Sequence, residues 1–258
     1  MKTPLLLPLA VLLAPACSLI SVKGSGTIEI QDRTVPAFNA IAVHGSGEML
    51  LSQGNFNQVS IECDDNLLEY IESEVEGSTL SLGPVGANLK PSNRIIYRVV
   101  VTDLNSIALS GSLRMHCPAL RFEDLAVRTS GSGRIRIGEL SGKAVSYKVS
   151  GSGDLRLGSL QAKTLSMRIS GSGNVEVENG AVDTMSARIS GSGDLGLRNL
   201  HAQEADVRIS GSGKAQLWVD QKIEARISGS GEIQHWGSAT VQQKTSGSAK
   251  VIGMGAHQ

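Results

Sequence analysis

With 258 residues the chain is long enough for one large all-β domain or two smaller ones. Its 24 basic and 24 acidic residues cancel, which argues against a nucleic-acid binder and against a polybasic membrane protein. Aromatic residues make up only 3% while glycine numbers 30, so small and branched aliphatics must fill the core, and thin repeated layers suit them better than one thick core.

The chain opens as a targeting segment, residues 1–17. Lys2 supplies a positive start, residues 5–13 form an apolar run too short to span a bilayer, and Ala14-Pro15-Ala16 precedes Cys17. The order resembles a bacterial lipoprotein signal, in which the cysteine after small residues carries the lipid. Ala14 in place of the usual leucine, Pro15 and the single positive charge depart from that pattern. Two readings stay open: lipid attachment at Cys17 with membrane anchoring, or ordinary cleavage after the Ala-x-Ala motif. Both export the chain, to the periplasm, the outer membrane or the cell surface.

Residues 22–109 read as an irregular N-terminal section of a domain spanning 22–252. Residues 65–76 suit a short helix or irregular loop, and 83–93, with Pro84, Gly86 and Pro91, suit a loop between strands. Cys63 shares the apolar phase of Val59 and Ile61, and Cys117 that of Met115, which makes both small core residues. A disulfide between them, in an oxidising compartment, is the alternative.

Residues 110–252 carry the dominant pattern. Ser-Gly-Ser-Gly starts at Ser130, Ser150, Ser170, Ser190 and Ser210, 20 residues apart, then at Ser228 and, as Ser-Gly-Ser-Ala, at Ser246, with steps of 18. Ser110-Gly111-Ser112-Leu113 lies one period upstream, and looser copies stand at Lys23-Gly24-Ser25-Gly26 and His44-Gly45-Ser46-Gly47. A fixed period of this size marks a repeat architecture. A flexible glycine-serine linker would keep no phase, yet apolar residues alternate before and after each copy, as in Leu165, Met167, Ile169 and then Val175, Val177. The alternation places Gly171 and Gly173 inward and Ser170 and Ser172 outward at a corner. Aligned copies give inward columns Val149, Ile169, Ile189, Ile209, Ile227 and Ile135, Leu155, Val175, Leu195, Ala215, Ile233. Like residues at one phase are expected of rungs stacked in parallel. An antiparallel meander would not superpose them and lacks regular Asn-Gly or Asp-Gly turns. The expected fold is therefore all-β: a single-chain parallel β-solenoid, or β-helix, with rungs of about 20 residues and a diverged N-terminal cap. The crossover rule makes it right-handed. The first shortening to 18 is expected near residues 219–222, and 253–258 form a tail.

One outward column is cationic throughout: Arg128, Lys148, Arg168, Arg188, Arg208, Arg226 and Lys244. At a rung spacing of about 4.8 Å the stripe would run roughly 30 Å. It is either an ordinary solvated face, offset by acids such as Asp206 and Glu224, or a ladder for a polyanion such as an acidic glycan or lipopolysaccharide head groups. The outward serines form a second column, read as a hydroxyl ladder. Asp154 and Asp194 share a phase two rungs apart with Asn174 between, roughly 9.6 Å by rung counting, at the far edge of inverting-glycosidase geometry. An acid beside a corner is ordinary turn chemistry, so no enzyme and no catalytic residue are expected. His44, His116, His201, His235 and His257 show no ligand spacing, and neither metal nor cofactor is expected.

Several ordered motifs resemble a known family. They are Val35-Pro36-Ala37-Phe38 followed by Ile41 and Val43; Asp65-Asn66-Leu67-Leu68 through Ile71 to Glu74-Val75-Glu76-Gly77 and Thr79-Leu80; and the serial Ile-Ser-Gly-Ser-Gly copies. Together they resemble the head GIN domain, described as an auto-transporter adhesin head, over residues 22–252. The resemblance implies a β-solenoid, an extracytoplasmic place and binding rather than catalysis, and it supplies no catalytic residues. The expected function is a cell-envelope binding scaffold whose partner is an acidic glycan or another envelope component. A structural envelope protein, self-associating through solenoid edges, is the alternative, and a glycan-active enzyme a remote one.

Overall fold

The computed structural model describes residues 20–257, so the expected targeting segment, residues 1–17, and the expected lipid site Cys17 lie outside the described residues. The repeats are rungs of a parallel β-solenoid. Ala144–Gly151 pairs with Asp124–Gly131 on one side and with the second half of Asp154–Gly171 on the other, in parallel and at a step of 20 residues. Gly180–Gly191, Asp194–Gly211, Lys214–Gly229 and Thr240–Gly247 extend the stack. A second run of each rung stacks the same way from Arg134–Ser141 to Lys250–Gly253. Both apolar columns face inward: Ile169, Ile189, Ile209 and Leu155, Val175, Leu195 are all buried. Each such side chain contributes about 1.5–3 kcal/mol of burial, and the stack repeats that contribution rung by rung.

The two corner glycines have different tasks, which corrects the expectation that both face inward. Gly173 is buried, and a Cβ there would lie 2.4 Å from the Gly153 carbonyl oxygen and 2.9 Å from Val149. Gly171 is half-exposed. Its φ of +125° suits only glycine, and a Cβ would meet the Gly151 oxygen at 2.2 Å. That oxygen accepts a hydrogen bond from the Ser172 amide at 3.0 Å, as the Gly171 oxygen does from Ser192. The first glycine thus permits a corner ladder in which the backbones of successive rungs touch.

The shortening of the period also falls earlier than expected. Leu197 pairs with Leu217, but His201 pairs with Trp218, so Arg198, Asn199 and Leu200 have no counterpart in the next rung. One residue is regained between Ala202↔Val219 and Glu204↔Lys222. The buried column resumes at once, since Leu200, Ala202 and Val219 are all inside. The deletion is accommodated by a bulge on the longer strand rather than by a loop at 219–222.

The N-terminal section contains a regular rung. Ala40–Gln53 lies parallel to Ser106–Arg121, with Gly45 on Gly111, so the copy at His44 is a true corner. The chain between them supplies further layers. Thr79–Pro84 and Ile96–Val101 pair with the other edge of Ala40–Gln53. Ile71–Glu76 and Gln58–Asp64 then add antiparallel to these two, and Ile28–Arg33 to Gln58–Asp64. A 3-10 helix, Asp65–Tyr70, buries Leu67 and Leu68 within this cap. Inside the expected loop at 83–93, Ala87–Lys90 pairs with Ile20–Lys23.

The copy at Lys23-Gly24-Ser25-Gly26 is not a corner. Its glycines sit on the Asp64 carboxylate: the Gly26 amide donates to Asp64 Oδ1 at 2.8 Å, and a Cβ on Gly24 would overlap the carboxylate at 2.3 Å. The amide and hydroxyl of Ser92 donate to the same carboxylate. At the opposite end Thr240–Gly247 and Lys250–Gly253 each pair on one side only, among the described residues.

Cys63 and Cys117 are buried and unbonded, as the core reading of both requires. Burial pushes each thiol up to about 11. Neither should react with a maleimide at pH 8 in the native protein, and both should react in denaturant. Rapid native labelling would show that the core opens.

Candidate functional site

The inward apolar phase forces the cations outward, and the solenoid register sets them one above another. Arg128, Lys148, Arg168, Arg188, Arg208, Arg226 and Lys244 are successive Cα partners. Their environments differ along the stripe. Arg208 binds Asp206 through Nε and Nη2 at 3.2 and 2.8 Å, and Arg226 reaches Asp206 at 3.3 Å and Glu224 at 3.1 Å. Lys222 donates to Glu224 from the flank, and with Arg226 it holds the Glu224 carboxyl below its usual range. Both arginines are half-buried in this network.

Arg128, Lys148, Arg168 and Arg188 are exposed and take part in no ion pair among the described residues. The acid column explains the contrast, because Ser146, Ser166 and Ser186 occupy the positions in register with Asp206 and Glu224. The offsetting acids therefore serve only the C-terminal part of the stripe. Ser130, Ser150, Ser170, Ser190 and Ser210 stack beside the cations and face solvent. Between the two columns lies an open depression of about 260 Å3 that includes Arg188, Ser190, Arg208, Ser210 and Lys244.

Arg134, Arg136 and Arg156 extend the positive field around the corner, with Arg136 stacked on Arg156. Arg156 is paired with Glu176 at 2.5 Å, and Arg134 approaches Asp154 at 3.9 Å. Sequence columns drawn after the tetrapeptide, as well as before it, would have revealed this second group.

The carboxylates considered for catalysis have structural partners. Asp154 Oδ1 accepts from the amide and side-chain nitrogen of Asn174, Asn174 Oδ1 accepts from the Asp194 amide, and Asp194 Oδ1 accepts from the Lys214 amide. Each side chain caps the first amide of the next rung, which is the turn chemistry expected there. His201 pairs with Asp220 at 2.8 Å and packs on Trp218, which stacks on His257 at 3.9 Å. No group of three histidine, cysteine or acidic residues able to hold a metal occurs among the described residues. Nor is any helix among them long and apolar enough to cross a membrane.

The family model described as "Putative auto-transporter adhesin, head GIN domain" matches residues 37–160 and 139–239. The overlap of the two matches is what repeated rungs allow. Among solved structures, one titled a putative lipid binding protein from Parabacteroides distasonis superposes with a TM-score of 0.86 at 25% identity, covering 91% of this chain and 99% of its own. A putative adhesin from Parabacteroides merdae gives 0.87 at 24% identity, with the same coverage of 91% and 99%. A putative adhesin from Bacteroides fragilis gives 0.68 at 20%, covering 90% of this chain and 100% of its own. No curated protein matches the sequence. With a repeat-for-repeat solenoid and most of its length matched, this chain belongs to the head GIN domain family.

Proposed function

We propose that the chain is an exported, adhesin-type binding scaffold that contacts polyanionic envelope material through the basic stripe. Lipid on Cys17 would hold it at a membrane. The carrying observation is the run Arg128, Lys148, Arg168, Arg188: four exposed cations in register, without acidic partners among the described residues and flanked by exposed hydroxyls. Like charges about 4.8 Å apart repel, and an anion lying along them relieves that repulsion. Guanidinium groups bind carboxylate, sulfate and phosphate through paired donors, and serine hydroxyls add a donor row. The same chemistry fits an acidic polysaccharide and the phosphorylated head of an envelope lipid.

Heparin and vesicles of phosphatidylglycerol distinguish the two sources. Binding to one or both should weaken steeply as salt rises. Each cation near an anionic surface contributes about 1 kcal/mol, so replacing the four by alanine should weaken binding by about 4 kcal/mol, roughly a thousandfold. Arg208→Ala with Arg226→Ala should cost far less, since Asp206 and Glu224 already occupy those guanidinium groups. If neither probe binds, the stripe is a solvated face and the chain a structural envelope protein.

A further inference from the structure

The glycines of this solenoid follow a rule with one exception. Every other glycine among residues 20–257 either has a φ in the left-handed region or would drive a Cβ to within 3.4 Å of a neighbour. Gly196 has neither constraint. Its φ is open to any residue, and an added Cβ would have only ordinary contacts, at 3.7 Å from Glu176 Cγ and the Val175 carbonyl oxygen. It stands in an outward column where neighbouring rungs carry long side chains: Arg136, Arg156 and Glu176 before it, Gln216 and Gln234 after it. A strand position that backbone geometry leaves free should favour a larger residue, because glycine weakens a strand.

The glycine leaves a notch of about 490 Å3, within the roughly 300–1,000 Å3 range of small-molecule clefts. Two further irregularities converge on it. The strand Val175–Val177 is only three residues long, so Glu178 leaves the sheet at one wall. The unmatched bulge at Arg198 and Asn199 forms another wall, and bulges commonly re-aim side chains beside functional sites. Arg198 is held 4.9 Å over the Trp236 ring, which fixes it at the margin. Planar carboxylate, amide and guanidinium groups thus surround a floor free of side chain.

We propose that this notch binds a single sugar unit of a glycan, a neutral polyhydroxyl ring. Glu178 and Asn199 would accept and donate to adjacent hydroxyls, while the C–H face of the ring lies over Gly196. The site lies on a different face of the solenoid from the cation stripe and does not depend on it. A neutral ligand should bind with little salt dependence, which separates failure here from failure of the stripe.

The test titrates the full mature chain with methyl glycosides of glucose, galactose and mannose and with N-acetylglucosamine, following amide shifts by NMR. At least one sugar should give saturable shifts at Gly196, Asn199 and Gln216 that persist at high salt. Gly196→Trp should abolish them while leaving the circular dichroism spectrum and the unfolding midpoint intact, because the position accepts a side chain. Gly196→Ala should weaken them without abolishing them. The proposal is overturned if none of the sugars gives saturable shifts, if the shifts survive Gly196→Trp in a folded protein, or if only a polyamine such as spermidine binds.

Discussion

Gly191→Val should split the solenoid. The valine would have to adopt a φ of +130°, a region open essentially to glycine, at a cost of about 1–3 kcal/mol. Its Cβ would lie 2.3 Å from the Gly171 oxygen, the acceptor for the Ser192 amide, so the corner bond must break or the rungs must part. Overpacking of that kind costs about 1–3 kcal/mol more. The total, about 4 kcal/mol, is a large share of the 5–15 kcal/mol that typically separates folded from unfolded states. Because rungs contact only their neighbours, the damage should concentrate at one interface. Urea unfolding should show a lower midpoint, and limited proteolysis should cut first near residues 190–193. Gly196→Ala, on the following strand, should leave the midpoint unchanged or raise it slightly. If the two substitutions cost the same, the assignment of corner glycines to backbone contact is wrong.

Asp64→Ala should release the N-terminal strand. The buried carboxylate accepts from the Gly26 amide and from the amide and hydroxyl of Ser92, joining three segments distant in sequence. Its loss leaves these donors without their acceptor. Charge-assisted hydrogen bonds contribute about 1.5–3 kcal/mol each and are not additive, so a local loss of about 3 kcal/mol is expected. Hydrogen exchange should accelerate at Gly26, Ser92 and the strand Ile20–Lys23, while the amide of Ile189 stays protected. Acid should produce the same opening. Burial alone would raise the Asp64 carboxyl, but the hydrogen bonds from Ser92 and Gly26 outweigh it and hold the group below its ordinary value. A depressed carboxyl stabilises the fold fully above its unfolded pKa of about 3.9, and that contribution is lost as pH falls through the lower folded value. Exchange at Gly26 that is unchanged by Asp64→Ala would show that other contacts hold the segment.

Where one residue of each rung faces the same environment, the sequence is legible, and the columns ending at Ile227 and Ile233 and the cation stripe are read from period alone. What escapes is set by contacts between rungs. Gly171 and Gly173 look alike in alternation and both press on the carbonyl of the rung below, yet only Gly171 needs a left-handed φ, and only Gly173 would also drive a side chain into Val149 inside the corner. The break opposite Arg198–Leu200 leaves no mark in the alternation, because a bulge keeps the buried phase intact on both sides. Asp206 beside Arg208 and Glu224 beside Arg226 are legible as alternate residues of one strand face, whereas the reach of Arg226 to Asp206 is set by the register between rungs. In the cap, Asp64 has no repeated neighbour, and its partners lie 38 and 28 residues away.

The stacking of rungs also dictates how the protein responds to force. Hydrogen bonds between parallel rungs run along the solenoid axis, so a pull on the two ends loads them in tension, one interface after another. Among the described residues the last rung pairs on one side only, so peeling of the described stack begins there. Each 20-residue rung that comes away frees about 65 Å of extended chain. A scaffold held at one end and bound at the other would lengthen stepwise under flow, dissipating load rung by rung before the contact itself had to break.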